Sequence, residues 1–196
     1  MNFFAGTQFL LAECDVLFSH KIQTVGERLA ACVLGQGKVF ICGNGGSAAQ
    51  AQHFSAELLN QYNSPRKGFP AISLTTDTST ITAIGNDYHF DTIFSKPFEA
   101  LQKPGDMLIC ITTSGNSGNI LRVIETANDF SIDVILLTGK DGGDAATMVP
   151  VASTFVVPNE STARIQEIHN IIIHGLCHVI DTIYFKKMDT MFKQND

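Results

Sequence analysis

Apolar positions along the chain follow two different periods. Leu10, Leu11, Val16, Leu17, Ile22, Val25, Leu29, Ala30 and Val33 recur at roughly helical spacing, and Gly35 and Gly37 stop the run, so residues 3–34 are expected to form a helix. The pattern then shortens. KVFICG (38–43), AISLT (71–75), DMLICIT (106–112), DVILLTG (133–139) and ASTFVVP (152–158) are brief apolar runs bounded by glycine or polar residues. Near-continuous apolar runs of this kind mark strands buried on both faces of a parallel sheet. Helical stretches lie between them: 47–62, the segments TSTITAIGN and DTIFSKPFEAL, and 119–129. DGGDAATMV reads as a glycine-bounded loop and short helix, and 161–188 as a long terminal helix. Strands alternating with helices predict one α/β domain over 1–196. Its expected form is a parallel five-stranded sheet flanked by helices, a flavodoxin-like three-layer arrangement behind a helical N-terminal segment.

Composition narrows the class. Hydrophobic residues make up 44% and charged residues 16%, an ordinary globular balance that argues against disorder. The net charge of −6 argues against a nucleic-acid partner, which needs a broad basic surface. It does not argue against a single small phosphate, which backbone N–H groups can hold without net positive charge. Cys14, Cys32, Cys42, Cys110 and Cys177 are odd in number and scattered, with no CxxC, as expected of reduced thiols in a reducing compartment. No apolar stretch approaches the ~20 residues that cross a bilayer, and the N-terminus lacks a basic signal-peptide head. No membrane association and a cytoplasmic location are expected.

Two loops carry candidate chemistry. Ligands of open parallel sheets bind beyond the carboxyl ends of the strands. At that edge lie Cys42-Gly43-Asn44-Gly45-Gly46-Ser47 and Thr112-Thr113-Ser114-Gly115-Asn116-Ser117-Gly118, each between a strand and a helix. Small residues let backbone approach a ligand, hydroxyls donate hydrogen bonds, and a helix N-terminus offers free N–H groups. A phosphate or polyhydroxylated chain suits them. Neither loop has GxGxxG spacing, and no GxxxxGK[ST] is present, so a nucleotide-binding reading fits poorly.

His53 and Glu57 lie four apart on a helix just after the first loop, on one face, and could form half of a metal site or a plain surface pair. The terminal helix holds Gln166, Glu167, His169, His174 and His178, and spacing cannot choose among them. Gln166 and His174 are about 12 Å apart along the axis and roughly 80° around it, a stretched arrangement for one site.

GKVFICGNGGSAAQAQHFSAEL, ITAIGNDYHFDTIFSK, GDMLICITTSGNSGNI, VILLTGKDGG and ARIQEIHNIIIH together resemble the phosphoheptose isomerases, SIS-domain proteins, from about residue 5 to 188. The resemblance implies conversion of sedoheptulose 7-phosphate to D-glycero-D-manno-heptose 7-phosphate through an enediol, feeding heptose synthesis for the lipopolysaccharide core. It also implies a homotetramer and one divalent metal per subunit, usually zinc. Carried over by position, the metal ligands are His53, Glu57, Gln166 and His174, and the acid–base pair is Glu57 and His174. The implied substrate contacts are Asn44, Gly45, Gly46, Ser47, Asn86, Asp87, Thr112, Thr113, Ser114, Ser117 and Gln166. His, Glu and Gln donors would also accept nickel, cobalt or manganese. Two positions depart from the family: Ala163 stands where isomerases often carry Asp, and Gln61 where they often carry Arg. A related regulator of replication initiation shares the AQHF and RIQE segments but is neither acidic at the position of Glu57 nor histidine at that of His174. A non-catalytic sugar-phosphate sensor is a third class, and no fused DNA-binding segment is visible.

Overall fold

A computed structural model describes residues 4–193. Five strands, β1 (Val39–Gly43), β2 (Ala71–Ser73), β3 (Met107–Ile111), β4 (Asp133–Gly139) and β5 (Thr154–Val157), form one sheet in the order β2-β1-β3-β4-β5. Every pairing is parallel. The helices are α1 (Ala5–Leu34), α2 (Gly46–Leu59), α3 (Thr78–Asp87), α4 (Ser95–Leu101), α5 (Gly118–Asp129), α6 (Gly143–Met148) and α7 (Thr162–Lys193), with 3-10 turns at 90–92 and 151–153. This is the expected three-layer α/β fold.

The period-2 geometry of a strand explains the layers. In β1, Val39 and Ile41 join one core with residues of α1, α2 and α7, while Phe40 and Cys42 join a second core against α3, α4, α5 and α6. Met107, Ile109 and Ile111 of β3 face the first core, and Leu108 and Cys110 face the second. Every residue of β1 and β3 is buried, so apolar side chains on both faces are required, and the runs show no polar alternation. At the N-terminal end of these strands the Asp106 carboxylate accepts from the backbone N–H of Lys38 (2.9 Å) and Lys103 (2.8 Å) and pairs with Lys38 Nζ at 2.5 Å. That clamp fixes the end of the sheet opposite the two loops.

Some boundaries differ from the expected ones. The strands begin and end within the apolar runs; β2 stops at Ser73, and β5 starts only after the 3-10 turn at 151–153. The expected helix 47–62 ends at Leu59, because Arg66 turns back and its guanidinium donates to the carbonyls of Glu57 (2.8 Å) and Leu58 (2.9 Å). α7 continues to Lys193, beyond the expected 188. The expected start of the first helix, residue 3, and the ends of the 1–196 range lie outside the described residues. Among those described, no helix is long and apolar enough to cross a membrane.

Candidate active site

In this strand order the chain reverses its direction of progress between β1 and β3, which places the ligand crevice beyond their carboxyl ends. The β1–α2 and β3–α5 loops flank that crevice. Asn44, Gly46, Ser47, Thr112, Thr113, Ser114 and Ser117 line one cavity of about 230 Å³, together with Gln166 from α7. Neither Gly45 before α2 nor Ser117 before α5 gives its helix a side-chain cap, whereas Asp77 caps α3 through the Thr80 N–H. Two helix N-termini therefore reach the cavity with first-turn N–H groups that no capping side chain takes up. Asp91 packs against Gly118, so α5 already has one carboxylate of the chain beside its first turn.

The second loop is held in an open shape by its own hydroxyls. Thr112 Oγ1 accepts from the Gly115 N–H (3.2 Å) and Ser114 Oγ from the Asn116 N–H (3.3 Å). Each hydroxyl spends lone-pair capacity on the backbone and keeps its O–H for a ligand oxygen. Gly115 has φ +70°, and a Cβ there would fall 1.9 Å from the Gly142 carbonyl oxygen, so only glycine fits.

A second cavity of about 430 Å³ adjoins the first and shares Gly46 and Gln166 with it. It runs between two helical stripes, Gly46, Ala49, Gln50 and His53 on α2 and Gln166, Asn170 and His174 on α7. The eight-residue separation of Gln166 and His174 is bridged by Asn170 at i+4, and all three side chains reach one groove. His53 Nε2 and His174 Nε2 face each other at 2.9 Å with the rings edge to face, so one of the two nitrogens carries the shared proton. Glu57 Oε1 lies 3.6 Å from His53 Nδ1, the ring nitrogen away from His174, beyond hydrogen-bond distance. The Tyr62 ring lies 5.8 Å from that of His174.

The three histidines of α7 point to three different surroundings. His178 is exposed. His169 is fully buried, donates from Nε2 to the Thr138 carbonyl at 3.0 Å and has no partner at Nδ1. His174 faces His53. Burial pushes the His169 pKa down to about 4, with the bond to Thr138 offsetting part of the effect. Its folded pKa thus lies below the unfolded value of 6.5. Its neutral form therefore costs nothing above pH ~6.5, and stability falls as the unfolded chain takes up the proton on the way down to pH ~4, by up to about 3 kcal/mol. Urea midpoints at pH 7, 5.5 and 4 should drop less steeply in His169→Gln than in the parent; equal slopes would refute this origin.

Asn86 and Asp87, expected to touch substrate, sit exposed at the end of α3, bonded to each other at 2.8 Å, and line neither cavity. Gly45 is exposed at the turn into α2. Ala163 is exposed in the first turn of α7 and Gln61 is exposed after α2. Gln50 and Asn170 were missed from the sequence. Gln50 donates from Nε2 to the Gln166 carbonyl (2.7 Å) and to Asn170 Oδ1 (2.9 Å), and its buried Oε1 has no partner. Its place four residues after Gly46 and three before His53, on the same helical face, was the signal available.

For a divalent metal the donors are suitable in kind: two ring nitrogens converging at one point and the Gln166 amide on the groove wall, with the Glu57 carboxylate behind His53, outside both cavities. Among the described residues no three His, Cys, Asp or Glu side chains stand together as a ready-made site, so Gln166 would have to contribute.

Residues 2–139 match the model of the SIS domain. A phosphoheptose isomerase of Shewanella loihica is 53% identical over 169 residues, 86% of each chain. The solved phosphoheptose isomerase of Francisella tularensis superposes with a TM-score of 0.88 at 41% identity, covering 92% of this chain and 95% of that one. That of Neisseria gonorrhoeae superposes at 0.85 with 43% identity, covering 91% and 95%.

Proposed function

The chain belongs to the SIS-domain family of phosphoheptose isomerases and is a sugar-phosphate isomerase, and from that premise we propose that it converts sedoheptulose 7-phosphate to D-glycero-D-manno-heptose 7-phosphate. The observation that carries this reading is the junction of two cavities at Gly46 and Gln166: a hydroxyl-lined one and one holding His53 and His174. The first suits an anionic phosphate and the second a reacting carbonyl end. A ketose with its phosphate at the far end of a carbon chain spans such a pair.

Ser47, Thr112, Thr113, Ser114 and Ser117, with Asn44, Gly45 and Gly46, hold the phosphate end, and Asn86 and Asp87 are further substrate contacts by the family's pattern. At the other end a base removes the C1 proton, the C2 carbonyl oxygen is protonated to give the enediol, and a proton is then delivered to C2 as O1 becomes the carbonyl. Glu57 and His174 form the acid–base pair. Gln166, placed at the junction, orients the sugar chain. His53, Glu57, Gln166 and His174 would hold one zinc ion, which when bound polarises the sugar oxygens as a Lewis acid. The working state is a cytoplasmic homotetramer, and the product enters heptose synthesis for the lipopolysaccharide core.

Incubation of metal-loaded protein with sedoheptulose 7-phosphate, followed by proton NMR, should give new anomeric and C2 signals of the aldoheptose phosphate, lost on chelation. Binding without conversion would instead favour a sensor or an initiator-binding regulator.

A further inference from the structure

Asn44 and Asn119 exchange side-chain hydrogen bonds in both directions. Asn44 Nδ2 donates to Asn119 Oδ1 at 2.8 Å, and Asn119 Nδ2 donates to Asn44 Oδ1 at 2.9 Å. The pairing is self-complementary, since turning one amide alone would set oxygen against oxygen and N–H against N–H. Asn119 is 1% exposed in the first turn of α5, and Asn44 lies in the β1–α2 loop, 75 residues away in sequence. The clasp thus joins the two loops that form the hydroxyl-lined cavity. On its other flank the β3–α5 loop is held by α6: the Ala145 N–H donates to the Gly115 carbonyl (3.0 Å) and the Asp144 N–H to Asn116 Oδ1 (2.9 Å).

We propose that Asn119 is a positioning residue, whose amide clasp with Asn44 sets the gap between the two loops that receives the phosphate group. The proposal rests on reading that cavity as the phosphate site. It changes the part assigned to Asn44, half of whose side-chain hydrogen-bonding groups are committed to Asn119. Its side chain acts on the ligand through the clasp, and Asn119 is needed for phosphate without touching it. The cost of losing either amide is therefore the cost of losing the same clasp.

The test is a double-mutant cycle on Asn44→Ala and Asn119→Ala, read by calorimetric titration with inorganic phosphate and by steady-state kinetics with sedoheptulose 7-phosphate. Each single change should weaken phosphate binding and raise KM about tenfold while kcat changes less than about threefold. The double variant should be no worse than the weaker single. Multiplying effects, or an Asn119→Ala protein with unchanged phosphate affinity, would overturn the proposal. Asn119→Thr stays close to Asn in volume and helix propensity but cannot return the paired amide bonds, so it should reproduce the affinity loss in a protein that still melts cooperatively. A general packing defect would instead be relieved by Thr, and that result also counts against the clasp. Because phosphate affinity is read separately from turnover, failure to convert sedoheptulose 7-phosphate would refute the proposed substrate and leave the clasp measurable.

Discussion

Glu57→Gln and His174→Ala should each lower kcat by about 100-fold or more with KM within roughly threefold, because general acid–base groups act on the reacting protons and contribute 10²–10⁴-fold. Glu57→Gln keeps the shape of the side chain beside His53 and removes its basicity and negative charge. His174→Ala removes one nitrogen of the 2.9 Å contact with His53 and opens the groove wall that Tyr62 backs. The sharper readout is isotopic. In deuterated water the parent should place solvent deuterium on the product at C2 and wash it into C1 of recovered substrate. A variant without the base should lose exchange and turnover in parallel. Turnover near the parent level in either variant would remove that residue from the acid–base pair, and exchange that survives loss of net turnover would leave it the acid role alone.

The fold was legible because its signals are local and periodic. Runs such as Phe40-Ile41-Cys42 and Leu108-Ile109-Cys110 are buried on both faces and so are apolar without a break, and α5 carries a clear 3.6-residue period. Boundaries were less legible where a distant residue decides them. α2 ends at Leu59 because Arg66 takes up its last carbonyls, and nothing within residues 47–62 encodes that. The candidate site was legible in the same uneven way. Both hydroxyl-rich loops could be read because ligand approach demands small residues and hydroxyls in sequence. The three histidines of α7 could not be separated, since each fits a helix and only the packed fold turns His169 toward Thr138, His174 toward His53 and His178 to solvent. The Asn44–Asn119 pair leaves no period in the sequence, because its two members come from different elements, and Gln50 showed only as a helical face shared with Gly46 and His53.

Arg66→Met should destabilise the protein by about 3–5 kcal/mol, the range expected when one partner of a buried ion pair is removed. The Arg66 side chain is 0% exposed, its Nε lies 2.6 Å from Asp181 Oδ1, and its guanidinium stacks 4.1 Å over the Phe69 ring. Methionine would fill the space, but it would leave the Asp181 carboxylate, 7% exposed and already without a partner at Oδ2, as an uncompensated charge on α7. It would also release the carbonyls of Glu57 and Leu58 at the end of α2. Activity should fall further than stability predicts, because the last turn of α2 carries Glu57. The double variant Arg66→Met, Asp181→Leu separates the two effects. Removing both charges should restore most of the stability, since an apolar pair of similar volume often matches a buried ion pair, while turnover stays low because the helix end is still unbound. Urea unfolding of the three proteins measures the first effect and kcat at a temperature well below each midpoint the second. If the double variant is as unstable as Arg66→Met, the loss comes from the freed carbonyls; if it regains full turnover, the guanidinium has no part in holding Glu57 in place.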